Sequence, residues 1–319
     1  MSAGTGRRVG ESSQRGGDVT EEFEQHRDHL IGVAYRMLGS RAEAEDAVQE
    51  AYLRFAGADR STIRDLRGWL TTTTGRICLD VLRSARVRRE AYVGPWLPEP
   101  IVARLPSTAP GPEALAERAE EVTLALLVVL ETLTPEQRVA FVLHDVFAVP
   151  FDEIATVLST TGPAARQLAT RARRAVAEGR PRHSATPAEQ RTLLDAFLAA
   201  VQEGDIDGLL AVLAPDVVAI GDGGGVLPAG RRPVEGSLQV ARFMAGLFRQ
   251  ARRFGTPRAE IVSVNGVYGL LMEAGDPPIR MVMGLSMADG RITGIFDQLN
   301  PAKLTDAPAV DPTRDLLAT

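Results

Sequence analysis

Apolar and polar positions recur along the chain with two different periods, and the change of period divides the sequence. Over residues 43–55 (EAEDAVQEAYLRF), Ala44, Ala47, Val48, Ala51, Tyr52 and Phe55 fall on or near one side of a helix, with Asp46, Gln49 and Glu50 on the other. Over residues 67–90, Trp69, Leu70, Ile77, Leu79, Val81 and Leu82 supply apolar surface. There Arg76, Arg83, Arg86, Arg88 and Arg89 face only Asp80 and Glu90. Residues 21–92 thus predict a compact helical unit. The Gly/Ser/Arg-rich residues 1–20 predict a disordered leader.

Residues 93–113 interrupt this pattern. Pro95, Pro98, Pro100, Pro106, Pro110 and Pro112 forbid a helix and favour an extended course. The segment reads as a linker, but Trp96, Leu97 and Ile101 are too large and apolar for a mere spacer, so docking is expected. Helical signals return over 114–183. Thr134-Pro135-Glu136-Gln137 combines an N-cap, a proline at the first helical position and a glutamine three residues after the cap.

Phe151, Ile154, Ala155 and Leu158 then recur at helical spacing, Ser159–Gly162 breaks the helix, and Pro163 opens another. On a helical projection of the second helix, Ala165, Leu168, Ala169, Ala172, Ala175 and Val176 share one arc. Arg166, Gln167, Thr170, Arg171, Arg173 and Arg174 share the opposite arc. A second helix with a donor-rich, one-signed face after a short turn suits a major-groove reader. A solvated amphipathic face would also show charge, but no acid interrupts this one before Glu178.

From Thr186 the pattern changes again. Thr186-Pro187-Ala188-Glu189 repeats the capping logic and Gly204 closes that helix. After two further helical stretches the period shortens to two. Asn265-Gly266 separates AEIVSV from VYGLLME, and Asp289-Gly290 separates MVMGLSM from RITGIFDQL, both as hairpin turns. The expected fold class is multidomain: two all-α helical domains followed by an α+β domain over 186–304, with 305–319 as a tail.

Composition narrows the function classes. The net charge is −5, against a protein that coats nucleic acid unaided. Lys303 is the only lysine, so 35 of the 36 basic residues are arginine. Cys78 is the single cysteine, which excludes an internal disulfide and fits a reducing, cytoplasmic home. No apolar run reaches the roughly 18–20 residues that span a bilayer, so no membrane partner is expected. No metal-ligand spacing and no phosphate-cradling loop occurs, so neither metal nor cofactor is expected.

The order of DAVQEAYLRF, GWL with a following D-x-L-R, a linker and a terminal helix-turn-helix resembles the extracytoplasmic-function (ECF) sigma factors of RNA polymerase. The resemblance covers residues 21–180 and implies sigma domain 2, then sigma domain 4. It implies that Asp46, Gln49 and Glu50 bind the β′ clamp helices of core RNA polymerase. Arg76, Asp80, Arg83 and Arg86 would lie along −10 promoter DNA, and Arg166, Gln167, Thr170, Arg171 and Arg174 would read the −35 element. Many members carry Asn at the position of Arg76, which makes a phosphate contact the better expectation there. Trp69 matches a residue that packs in the domain core.

Residues 186–300 resemble the SnoaL-like cone of the nuclear-transport-factor-2 (NTF2) superfamily. WLPEP (Trp96–Pro100), Asp222-Gly223-Gly224-Gly225 and Asn300-Pro301-Ala302-Lys303-Leu304 resemble motifs of the SigJ-like subgroup, whose tail is a fused SnoaL-like domain. Val226 and Ala302 depart from that subgroup's DGGGK and NPDKL. The resemblance implies a regulatory interdomain set: Trp96, Leu97, Pro98, Asp222, Gly223, Gly224, Gly225, Asn300, Pro301 and Lys303. The glycines permit close backbone approach or a simple flexible turn. For Lys303, an anchor and an exposed side chain both remain open.

Related cones are enzymes, so an isomerase- or cyclase-like protein with an appended helix-turn-helix is the alternative, with Asp222, Glu273, Asp297 and Tyr268 as candidates. Residues 186–319 hold no histidine and no paired-carboxylate motif, and Asp222 reads as part of an exposed loop. The expected catalytic set is therefore empty, with a small ligand in the C-terminal domain kept open.

Overall fold

The computed structural model describes residues 7–90, 92–105, 122–179, 185–254 and 257–317, with side chains except at 7–18, 86–90, 179 and 254. In chain order the described α-helices are α1 (Arg7–Leu38), α2 (Arg41–Ala56), α3 (Leu66–Glu90), α4 (Leu124–Glu131) and α5 (Pro135–Phe141). They continue as α6 (Phe151–Val157), α7 (Gly162–Gly179), α8 (Pro187–Glu203), α9 (Ile206–Val212) and α10 (Ser237–Ala251). The strands are β1 (Val102–Arg104), β2 (Leu213–Asp222), β3 (Val234–Glu235), β4 (Arg258–Val264), β5 (Val267–Ala274), β6 (Ile279–Ala288) and β7 (Arg291–Gln298). Packing divides the chain into two units, Met1–Arg86 with Leu133–Arg174, and Val87–Thr132 with Ala175–Thr319.

The first unit is all helix. Gly39, at φ 69°, lets the chain leave α1, and Ser40 caps α2 by accepting from the Glu43 N–H. The fully buried Phe23, Leu30, Met37, Phe55 and Leu70 form its centre. Trp69, expected in the core, is half-buried with its ring 6.1 Å from Phe55. The expected leader needs correction, because α1 is already helical at Arg7. Extending an anchored helix backwards costs far less than nucleating one. Residues 1–6 lie outside the described residues.

α5 begins with the expected capping box between Thr134 and Gln137. A five-residue π-helical stretch, Val142–Val146, follows, and Ala148 at φ 55° turns the chain into α6. Ser159, at φ 52°, breaks the chain between α6 and α7. Ala165, Ala169, Ala172 and Val176 are buried, so α7 packs by the small-residue arc that its sequence presents.

The second unit is a seven-stranded sheet in the order β1-β4-β5-β6-β7-β2-β3, with helices packed on it. Asn265-Gly266 and Asp289-Gly290 all take positive φ and close the β4–β5 and β6–β7 antiparallel hairpins, as expected. Three strands are additions to the sequence reading. β2 lies parallel to β7, β3 pairs with β2, and β1 comes from the linker. Val102, Ala103 and Arg104 pair with Val264, Ser263 and Val262, so part of the proline-rich segment is an edge strand.

Two boundaries are corrected. α4 falls within the second helical stretch of the sequence but packs on β6 and β7 of the sheet unit. Its sequence LALLVVLE is apolar all round and requires burial on several sides. Leu124 reaches into the space above Gly284, where an added Cβ would lie 2.6 Å from Leu124 Cδ2. The tail beyond Leu304 is not an appendage either. Ala307 and Val310 are buried, and the Leu316 N–H donates to the Ala259 carbonyl on β4.

Candidate functional site

Four sets of residues stand out, three in the helical unit and one in the sheet unit. α2 turns Asp46, Gln49 and Glu50 to solvent, opposite the buried Ala44, Ala47, Val48 and Ala51. Glu50 accepts from Arg54 Nε at 3.0 Å, which leaves a mixed but mainly acidic surface.

On α3, Arg76, Asp80 and Arg83 are exposed, and the Arg86 side chain lies outside the described residues. Arg76 Nη2 donates to the Thr156 carbonyl of α6 at 3.0 Å, and Arg83 Nε to Glu136 Oε1 of α5 at 3.0 Å. Beside them Arg138, buried, donates from Nη1 to the Met37 carbonyl at 2.9 Å. His29 meets the Phe147 ring edge-on, with centroids 5.2 Å apart. Burial and then the cationic neighbours Arg67, His26 and Arg36 hold the His29 imidazole below its ordinary pKa. Two of the arginines expected along DNA are thus turned towards the helix-turn-helix module.

On α7, Arg166, Gln167, Thr170, Arg171 and Arg174 are all exposed. Arg166 sits 5.2 Å above the Phe151 ring, and Thr170 Oγ1 donates back to the Arg166 carbonyl at 2.9 Å. Arg173, which shares that arc but is not one of the expected −35 readers, is tied to Asp145. What remains is a donor-bearing stripe opposite the buried Ala165, Ala169, Ala172 and Val176.

In the sheet unit the three short motifs converge on Asp222. Its side chain has no exposed surface, so the expectation of an exposed loop was wrong. Lys303 Nζ lies 2.7 Å from Asp222 Oδ2 and also donates to the Leu97 carbonyl at 2.6 Å. The Leu97 N–H donates to Asp222 Oδ2 at 2.9 Å, Tyr92 Oη to Oδ1 at 2.6 Å, and the Gly224 N–H to Oδ1 at 2.9 Å. Burial opposes ionisation of Asp222. Lys303 outweighs it by charge and hydrogen bond, helped by Tyr92 and the Leu97 N–H, and the carboxyl stays below its ordinary pKa. The same burial, with donation to a carboxylate, pushes the Tyr92 phenol up.

The linker side of this cluster is equally tied down. Leu97 is fully buried and Pro98 buried, and the Lys303 ammonium stands 3.9 Å from the centre of the Trp96 ring. Asn300 Nδ2 donates to Tyr92 Oη at 2.9 Å, and Asn300 Oδ1 accepts from the Ala302 N–H across Pro301. The glycines admit this crowding. A Cβ on Gly223 would lie 2.1 Å from the Leu227 carbonyl oxygen, and one on Gly224, at φ 65°, 2.4 Å from Asn300 Cγ. Gly225, at φ 72°, faces Val93. Val226, at the position that departs from DGGGK, is exposed.

Sequence reasoning missed Tyr92 and Gln298. Gln298 Nε2 lies 3.4 Å from the Pro98 carbonyl and the Asp222 carboxylate. Their nearness to WLPEP and to Asn300 was the only signal. Of the other candidate carboxylates, Glu273 is held by Arg258 at 3.2 Å and Arg280 at 2.9 Å, while Asp297 stands apart on β7. Among the described residues no group of His, Cys, Asp or Glu could hold a metal ion, and no helix is long and apolar enough to cross a membrane.

Comparison with known proteins accounts for this arrangement. Residues 23–88 match Sigma-70 region 2, 123–176 match Sigma-70, region 4, and 194–295 match a SnoaL-like domain. The chain is 44% identical over 298 residues to the ECF RNA polymerase sigma factor SigJ of Mycobacterium tuberculosis, spanning 90% of this chain and 93% of that one. A probable ECF sigma factor SigI of the same species is 42% identical over 205 residues, 62% of this chain and 68% of that protein. The crystal structure of M. tuberculosis SigJ superposes with a TM-score of 0.71 at 41% identity, covering 91% of this chain and 99% of that one. The chain belongs to the ECF family of RNA polymerase sigma factors. Within that family it is of the kind that carries a SnoaL-like domain fused behind region 4.

Proposed function

We propose that the chain directs core RNA polymerase to a set of promoters in the cytoplasm, and that its fused domain regulates this step without turnover of its own. The acidic face of α2, Asp46, Gln49 and Glu50, is the surface offered to the β′ clamp helices. Arg76, Asp80, Arg83 and Arg86 serve the −10 element, and the outward stripe of α7 reads the −35 element in the major groove. The observation that carries this reading is the α7 face, five exposed polar residues on a helix whose opposite side is buried.

The fastening of Arg76 and Arg83 to the helix-turn-helix module adds a step. Elements named for positions 25 base pairs apart lie roughly 85 Å apart along a duplex. Modules in direct hydrogen-bond contact cannot bridge that distance, so they part before both elements are held. The cluster around Asp222 makes the linker, which joins the two modules in sequence, a fixture of the fused domain. That gives the domain its handle on their separation. Of the three carboxylates of the enzyme alternative, Asp222 and Glu273 are neutralised by cations, which takes both away as acid–base groups, and Asp297 alone is left to it.

Pull-down of core polymerase with the purified chain, followed by transcription from genomic fragments, tests the proposal. Retention of the chain on core and fragment-selective transcripts are expected. Promoter-independent binding of DNA without polymerase would overturn it.

A further inference from the structure

The helix α10 packs on the sheet by Val240, Ala241, Met244 and Ala245 and leaves its other face to solvent. That solvent arc holds Gln239, Arg242, Gly246, Arg249 and Gln250, all exposed. The one-turn helix Arg252–Phe254 that follows adds the exposed Arg252 and Arg253. No acid occurs between Glu235 and Glu260, and Glu260 is buried beside Arg104 and Arg314. Among the described residues none of the guanidinium groups of Arg242, Arg249, Arg252 and Arg253 meets a carboxylate. The exposed side of α8 shows what a merely solvated face looks like, with Arg191 and Asp195 paired at 2.9 Å. The carbonyl end of α10 attracts cations, but Arg242 stands about two turns upstream of that end.

Gly246 is the second observation. It stands in the helix interior, where glycine is the poorest former after proline, and a Cβ added there would meet nothing within 4 Å. No described neighbour therefore requires the side chain to be missing. At 100° per residue Arg242 and Arg249 fall within about 20° of each other, and Gly246 lies about 40° from Arg242. The bare backbone thus sits between two arginines roughly 10 Å apart along the axis. Such a gap suits a body from outside that comes close to the helix.

We propose that this arginine face of the fused domain grips the phosphate backbone of duplex promoter DNA, without reading its sequence, when the chain is bound to core polymerase. The inference rests on the promoter reading above and adds a DNA contact outside the two sigma regions. Charge complementarity selects the partner. A duplex presents a negative charge every ~1.7 Å of its axis, so cations at this spacing each find a phosphate, and the guanidinium fork matches phosphate oxygens. A protein partner calls for an apolar or aromatic centre, and the one apolar member of the arc, Leu238, lies at its first turn. A lipid surface calls for the apolar face of the helix, which α10 already buries. Four phosphate contacts are too few to hold DNA alone at physiological salt. The face therefore adds to the hold of α7 and does not replace it.

Holoenzyme assembled from the full-length chain and core polymerase is titrated onto a duplex fragment that it transcribes selectively, between about 50 mM and about 200 mM salt. Arg242→Gln, Arg249→Gln, Arg252→Gln and Arg253→Gln combined should reduce the slope of log affinity against log salt by about 3 to 4, close to 0.9 per phosphate contact. The loss should be alike on matched and altered promoter elements. Arg191→Gln, at an arginine already paired with Asp195, should leave the slope unchanged. Gly246→Leu should raise the melting temperature of the free chain, since leucine favours a helix. It should nonetheless weaken DNA binding about fivefold or more, because the side chain blocks the approach. An unchanged slope in the fourfold variant, a loss confined to one sequence, or a Gly246→Leu chain that binds DNA as the parent does would overturn the proposal. So would a fourfold variant that no longer binds core polymerase, which would assign the face to polymerase. A parent chain that selects no fragment sinks the promoter reading and this inference with it. Selection by the parent with an unchanged slope in the variant sinks this inference alone.

Discussion

Lys303 Nζ and Asp222 Oδ2 lie 2.7 Å apart, and the lysine has 13% of its side chain exposed while the aspartate has none. The only lysine of the chain thus neutralises a carboxylate that could not otherwise remain charged in that position. Because the same ammonium holds the Leu97 carbonyl, linker and sheet share one electrostatic fastening.

Removing either partner strands the other. Lys303→Met should destabilise the sheet unit by about 3–5 kcal/mol, and Asp222→Asn by a similar amount. The double variant should lose clearly less than the sum, since the pair acts as a unit. Urea titration followed by tryptophan fluorescence measures this, and additive losses would contradict the coupling. The pH dependence has a definite sign. Asp222 is held below its ordinary value of 3.8, so its contribution is present above about pH 4 and disappears as pH falls through the lower folded value.

Neighbouring glycines should differ in their tolerance. Gly224→Ala places a Cβ 2.4 Å from Asn300 Cγ, whereas Gly225→Ala meets Val93 at 3.3 Å, with positive φ in both. Both variants lose stability to backbone strain, and Gly224→Ala should lose more, by about 1–3 kcal/mol beyond the strain common to both. Thermal melts of the two variants side by side decide the matter. Equal melting points would mean that Asn300 moves aside freely.

The contact between Arg83 and Glu136 is exposed, with 51% and 34% of the two side chains accessible. Glu136→Gln should therefore change stability by less than about 1 kcal/mol. It should nonetheless raise promoter occupancy in the presence of core polymerase, because Arg83 is released towards DNA. Arg83→Ala should lower occupancy and flatten its salt dependence. Filter binding across a salt series would show both effects, and a fall with Glu136→Gln would refute the release.

Arg171→Ala on the outward stripe of α7 should leave folding intact and weaken binding at a −35 element by about 1–3 kcal/mol if the side chain reads a base. A phosphate contact would instead weaken all sequences alike. Competition between matched and altered −35 elements separates the two outcomes, and no loss on either would remove Arg171 from the interface.

Asp297 supplies a prediction of opposite pH sign to Asp222. Its folded value, about 7, lies above the ordinary 3.8. The native state then holds a proton that the unfolded chain releases, so stability falls as pH rises from about 4 to about 7 and levels off above. Asp297→Asn removes that dependence, and its advantage over the parent chain should grow with pH to at most about 4 kcal/mol. Denaturation at several pH values tests this; a gap that narrows with rising pH would be inconsistent with a buried neutral acid.

Local rules were legible where one residue type leaves one solution. The capping boxes at Thr134 and Thr186, the positive φ of Asn265-Gly266, and the small-residue arc of α7 all follow from sequence and stand in the structure. β2 was hidden because Pro215 and Asp216 interrupt its alternation and its partner β7 lies some 75 residues away, so only tertiary pairing defines it. β1 was hidden by the prolines that flank it, Pro100 and Pro106. Asp222 was misplaced because a glycine run signals an open loop, whereas here the glycines let Asn300 and the linker close over the carboxylate. Lys303, left undecided by sequence, could be resolved only by geometry.

The pairing of β1 with β4 means that cutting the chain after residue 184 subtracts more than a regulator. Leu97 would lose the lid that buries it, and Val102–Arg104 would present bare amide and carbonyl groups to any passing strand. A shortened protein of that kind is a new molecule with a self-adhesive seam, and clumping should precede any readout of promoter control. Silencing the fastening by a point change at Lys303 interrogates the fused domain while its seam stays sewn.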